Sequence, residues 1–121
     1  MDRYAIVIRS DGETIKLHCF PGDTVPLKDL QGMVEGYIEI TPTMLAASWS
    51  REKDTDAIVL VINEEGKLKR LPLNQKATDI SGIKTYDDVI VGNAILMAAR
   101  GDELIGLTEE AADNIIKKWK L

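Results

Sequence analysis

The sequence predicts an α+β domain: one mixed or antiparallel sheet of about five to seven strands, a short helix after the second strand, and an amphipathic helix at the C-terminus. Three observations carry that expectation. Ala57 to Ile62 is apolar at every position, which suits a central strand covered on both faces. Thr14 to Phe20 alternates, with Ile15, Leu17 and Cys19 on one face and Thr14, Lys16 and His18 on the other. Ala112, Ile115, Ile116 and Trp119 recur at helical spacing behind Thr108, a natural N-cap.

The elements follow in order. Tyr4 to Arg9 is a first strand, and Ser10-Asp11-Gly12-Glu13 turns it into the second. Pro21-Gly22-Asp23 ends that strand, and Asp23 or Thr24 can cap a helix over Pro26 to Glu35 whose stripe is Leu27, Leu30 and Val34. Gly36 suits the left-handed position that stops it. Tyr37 to Thr41 is a third strand, with Ile38 and Ile40 inward and Tyr37 and Glu39 outward, until Pro42 withdraws a donor. Met44 to Asp56 has no clear period and reads as a solvated loop, in which Trp49 either anchors the loop to the core or offers a flat surface to a ligand.

After Ala57 to Ile62, Asn63-Glu64-Glu65-Gly66 supplies a turn with Gly66 free to take positive φ, and Lys67 to Leu71 returns as a hairpin partner closed by Pro72. Asn74 to Asp88 is polar. Val89 to Ala99 is another apolar strand, with Gly92 at a bulge or a close backbone approach. In the last helix Glu109 and Glu110 favour the positive end of the dipole, and Lys117, Lys118 and Lys120 the negative end. Its apolar face is expected to pack on the sheet, and contact with a second subunit is the alternative.

A chain of 121 residues with 45% hydrophobic content suits a single domain spanning 1–121, able to bury a core without disulfides or metals. With 20 acidic against 15 basic residues the formal charge of −5 opposes binding to duplex DNA, which rests on many Lys and Arg contacts to phosphate. Acids and bases are interspersed, unlike an acidic mimic of DNA. Cys19 is the one cysteine and reads as a buried thiol in a reducing compartment. No stretch approaches a membrane span or a signal peptide, so the expected location is cytoplasmic.

Catalytic kits are short of material. One histidine, His18, and one cysteine leave Ser-His and Cys-His arrangements almost unsupplied, and His18 on a strand reads as a polar residue facing solvent or a partner. Asp54, Asp56, Glu64 and Glu65 offer oxygens but belong to no calcium loop or zinc pattern, and the glycines form no phosphate loop. The expectation is a non-enzymatic protein with no cofactor and no metal. The marked basic island is Lys67, Lys69, Arg70 and Lys76, with no acid among them. It would give a phosphate or carboxylate charge-assisted donors, with Asn63 and Asn74 as amide partners, or else it is a solvated outer hairpin.

Leu27-x-x-Leu30-Gln31-x-x-Val34-x-Gly36-Tyr37-Ile38-Glu39, then Asn63-Glu-Glu-Gly-Lys-Leu-x-x-Leu-Pro-x-Asn74, then Val91-Gly92-Asn93, resemble a family of small proteins from phages and Gram-positive bacteria. That family is a domain of unknown function, number 3846 of its series. The resemblance runs from the first strand to Leu107-Thr108-Glu109-Glu110, with Glu35-Gly36 standing where Gly-Gly is common and Met44 to Asp56 as an insertion. It implies a phage-type accessory protein that works by binding. The resulting expectation is a small anionic, nucleotide-like signal sequestered to counter host defence, contacted by Lys67, Lys69, Arg70, Asn74, Asn63 and, across the sheet, Tyr37. The alternative is an inhibitor or adaptor acting on a host protein. A homo-oligomer, most simply a dimer, is expected in either case.

Overall fold

The computed structural model describes residues 2–45, 55–82 and 88–121. Trp49 and most of the Met44 to Asp56 insertion lie outside them. β1 (Arg3–Ile8) and β2 (Thr14–His18) form the expected hairpin, with Gly12 at positive φ in its turn. The apolar run becomes β4 (Ala57–Asn63), held between β3 (Ile38–Pro42) and β5 (Ala94–Arg100). All pairings are antiparallel, in the order β2-β1-β5-β4-β3. Ile58 and Leu60 are buried on one face of the sheet, and Val59 and Val61 are buried too.

Two short strands complete a seven-stranded sheet. β1 pairs with β5 over Ile6 to Ile8, and where the two diverge β6 (Glu103–Ile105) pairs β5 while β7 (Leu107–Thr108) pairs β1. Gly106 sits at the junction.

Helices cover both faces. α1 (Leu27–Val34) buries Leu30 and Val34 in a cluster with Ala5, Val7, Val61, Ile95 and Met97. On the other face α2 (Gln75–Ser81) and α3 (Glu109–Trp119) bury Ala77, Ile80, Ala112 and Ile115 against Ile6, Ile8, Leu60 and Leu96. Thr108 caps α3, its hydroxyl accepting the Ala111 N–H at 3.2 Å. The apolar face of α3 therefore packs on the sheet.

Several expectations need correction. Pro26 is the N-cap of α1 and no side chain caps it, so Asp23 and Thr24 do not fill that role. Leu27 stays exposed. Glu35, at φ 67, takes the left-handed position in place of Gly36. Gly36 is required for a different reason: a methyl group there would lie 2.8 Å from both Asn63 Nδ2 and Lys69 Nζ. Ile40 is 51% exposed, because it lies on an edge strand. β5 begins at Ala94 rather than Val89, and α2 occupies part of the polar stretch after Asn74. Lys67 to Leu71 forms no strand.

One ion cluster ties β2 to α3. Lys16 Nζ donates to Glu109 Oε2 at 2.8 Å and Asp113 Oδ1 at 2.9 Å, and it lies 4.5 Å from the Tyr4 ring centre. The hydrogen bonds to these carboxylates raise the Lys16 pKa well above its ordinary value. A raised lysine pKa stabilises the fold fully below the unfolded value and loses that contribution as pH rises through the folded one. Lys16→Met is thus expected to cost about 1 kcal/mol or less at pH 7, as for exposed pairs, with the deficit persisting to alkaline pH and shrinking in high salt. Urea titrations at two salt concentrations check this.

Candidate functional site

Residues 64–70, the stretch with the basic island, fold as one tight helical turn. Lys69 N–H donates to Glu65 O at 3.0 Å, after which Arg70 N–H bonds to Lys67 O at 3.1 Å and Leu71 N–H to Gly66 O at 3.0 Å. This is the closing pattern of a Schellman motif, and it places Arg70 in the left-handed region at φ 54. Gly66 does not need positive φ; a methyl group on it would meet Val91 Cγ2 at 2.9 Å. Because the segment coils, Lys67 and Lys69 do not share a strand face.

The expected site residues divide into two groups. Asn63 is buried, donating from Nδ2 to Val34 O at 2.8 Å and accepting the Glu65 N–H at 2.7 Å, so its amide joins the end of α1 to the turn. Asn74 is buried as well. Its Nδ2 donates to Ile8 O at 2.8 Å and Gly92 O at 2.9 Å, while its Oδ1 caps α2 by accepting the Ala77 N–H at 3.1 Å. Both amides are engaged inside the protein, and Asn63 also lines the cleft beside the turn. Lys76 is likewise directed away, to Gly12 O.

Lys67, Lys69, Arg70 and Tyr37 remain on the surface. Lys69 Nζ reaches Glu35 O at 3.3 Å and so places its charge at the C-terminal end of α1, where the dipole favours a cation. Arg70 is exposed and makes no ion pair among the described residues. Tyr37 is 69% exposed, and its carbonyl accepts the Glu64 N–H at 2.9 Å, which fixes it beside the turn.

Next to this turn lies a cleft of about 450 Å³ between the edge of β3, the turn and residues 88–91. Among the described residues Glu39, Glu64, Glu65 and Asp88 line it, with Lys67 as the one basic residue and Thr41, Ile62, Asn63, Leu68 and Val89 among the rest. The surroundings of the basic island are therefore acidic. Sequence reasoning misses this because Glu39 comes from β3, brought opposite Ile62 by the β3–β4 register. Leu68 at the rim is 83% exposed.

Among the described residues no strand pairs with the outer edge of β3. Glu64 N–H bonds to Tyr37 O, so Tyr37, Glu39 and Thr41 turn their backbone groups toward β4 while Ile38, Ile40 and Pro42 turn theirs outward. Pro42 is tolerated because its missing N–H would have faced solvent.

Elsewhere, burial pushes the Cys19 thiol up, so it stays protonated at neutral pH and is a poor nucleophile. The His18 ring lies 5.1 Å from the Tyr4 ring centre at a tilt of 42°, and its Nε2 is 3.3 Å from Asp2 Oδ1. Among the described residues no cluster of His, Cys, Asp and Glu is arranged to hold a metal, and no helix is long and apolar enough to cross a membrane.

An antiparallel sheet sandwiched between helices, with an open edge beside an acidic cleft and a basic turn, defines a small α+β protein with a surface-exposed candidate site. The chain belongs to the family described as Domain of unknown function (DUF3846), whose model matches residues 1–120. No curated protein and no solved structure matches it.

Proposed function

We propose that this protein is a non-enzymatic binding module whose partner is another polypeptide, taken as an added strand on β3. The observation that carries this reading is that, among the described residues, the β3 edge has no partner strand and runs beside a cleft lined by four carboxylates. An added strand would bond to the outward backbone groups of Ile38 and Ile40. A partner side chain opposite Glu39 would lie within about 5.5 Å of it between Cβ atoms and on the cleft face, where a lysine or arginine is favoured. Its neighbours would meet the exposed side of Ile38 and Ile40, where apolar groups fit. The favoured segment is thus extended and alternates basic with apolar residues.

Blocked hexapeptides alternating valine with lysine, serine or glutamate test this by calorimetry. Lysine peptides should bind tightest, and Glu39→Lys with Glu64→Lys should invert the preference for charge. No preference among the three, or a preference unmoved by the reversal, rejects the site.

Tyr37 and Arg70 support a second reading. Both are exposed, and with Lys67 and Lys69 they would hold a small anionic, nucleotide-like ligand by stacking and charge-assisted bonds. The four nearby carboxylates oppose it. Calorimetry against a nucleotide panel separates the two, since Arg70→Ala should weaken nucleotide binding about tenfold and leave lysine-peptide binding unharmed. Encoded by a phage, a binder of the first kind would cover a host protein, and one of the second kind would withdraw a host signal.

A further inference from the structure

The opposite edge of the sheet, β2, fits a second copy of this chain. In the β1–β2 ladder Cys19 N–H bonds to Arg3 O and Arg9 N–H to Glu13 O, both at 2.8 Å. These bonds fix the phase: the odd residues of β2 face β1, and Thr14, Lys16 and His18 direct their backbone N–H and C=O groups outward. The edge thus presents three hydrogen-bonding residues in a row.

We propose that two copies pair antiparallel through β2 about a two-fold axis at Lys16. Lys16 then opposes Lys16 of the second copy, and Thr14 opposes His18 twice, so each outward residue meets another with matching donors and acceptors. Ile15 opposes Leu17 on the α1 face, where the side chains of such non-bonded pairs come closest. Ile15 is 38% exposed in the single chain and gains an apolar neighbour.

A lysine on an edge strand ordinarily discourages such pairing. Here its ammonium is drawn back onto α3 and held between Glu109 and Asp113, so two opposed Lys16 residues arrive with their charges compensated. The β3 edge lacks this self-complementarity. A two-fold axis at Ile40 would pair Ile38 with Pro42, which has no N–H to give, and an axis at Glu39 would oppose two carboxylates.

The pairing joins two sheets into one and leaves a β3 edge at each far end. Beside β2, two grooves of about 610 and 350 Å³ share Leu17, Gly32 and Met33. In the pair the grooves of the two copies face each other across the axis, floored by Ile15 and Leu17.

Proline at positions 14 and 18 removes outward N–H groups that the single chain does not use, whereas proline at 15 or 17 would break the β1 ladder. The wild type is expected to scatter light as a dimer at concentrations below millimolar. Thr14→Pro with His18→Pro should weaken association about tenfold or more, with the circular dichroism spectrum unchanged. Independently of that variant's folding, Lys16→Cys should form an intermolecular disulfide under mild oxidation, since directly bonded pairs lie about 5.5 Å apart between Cα atoms. Thr14→Cys alone should not, because its copies fall four residues out of register. A wild type that is monomeric at millimolar concentration overturns the proposal. So does a dimer in which Lys16→Cys fails to cross-link, which would place the contact on another surface.

Discussion

Asn74→Asp is expected to lower stability by about 3–5 kcal/mol, although aspartate is a good cap and nearly the same shape. The native amide serves two ends. Its oxygen accepts the Ala77 N–H and starts α2, and its nitrogen donates to Ile8 O on β1 and Gly92 O before β5. Aspartate keeps the first function and loses the second. It leaves two buried carbonyls without their donor, each worth roughly 1–3 kcal/mol, and sets a carboxylate against them in a site only 1% exposed. Asn74→Ala should be comparably damaging for the opposite balance of reasons, losing the cap as well but burying no charge. Urea denaturation should show a lowered midpoint at unchanged slope for both. A loss below about 1 kcal/mol in the aspartate variant would mean that the amide is not a structural tie, and Asn74 would again be available to a ligand.

The elements legible in the sequence are those whose signal is local. Ala57 to Ile62 reads as a central strand because burial on both faces removes every polar residue, and α3 reads as a helix from Thr108 and the stripe behind it. α2 carries a weaker stripe of Ala77 and Ile80, and its best signal is Asn74, a cap residue that also suits a ligand contact. The turn at 64–70 is harder still. Its closing motif puts Arg70 where glycine is the usual marker, so a reader looking for a hairpin finds Gly66, whose actual task is to let Val91 approach. β6 and β7 are too short for periodicity to register.

The candidate site shows the same division. The cations of the turn are visible in one stretch of sequence, but what surrounds them is assembled from distant segments. Glu39 arrives by strand register and Asp88 by the segment leading to β5, and together with Glu64 and Glu65 they reverse the sign of the cleft. The local basic stretch therefore points to an anion, whereas the described lining of the cleft beside it carries more carboxylates than cations.

Gly106→Ala should destabilise the protein by about 2–3 kcal/mol, a large effect for one methyl group. Gly106 lies between β6 and β7, in the gap where β1 and β5 separate, and its backbone is fully engaged: N–H to Asp23 O at 2.8 Å, C=O from Arg3 Nη1 at 3.2 Å. A methyl group there would strike Cys19 Sγ, and it would also lie 2.8 Å from Tyr4 N and 3.0 Å from Arg3 Cβ. The sulfur can be removed, but the β1 backbone cannot move without disturbing its pairing with β2 and β7. Cys19→Ala alone should cost about 1 kcal/mol for lost packing. Combined with Gly106→Ala it should cost less than the sum, with a coupling of about 1 kcal/mol, because one of the clashes has gone while those with Tyr4 and Arg3 remain. Strict additivity in that cycle would show that the sulfur does not occupy the space. Full rescue would show instead that the β1 backbone yields freely, contrary to its place in the interior of the sheet.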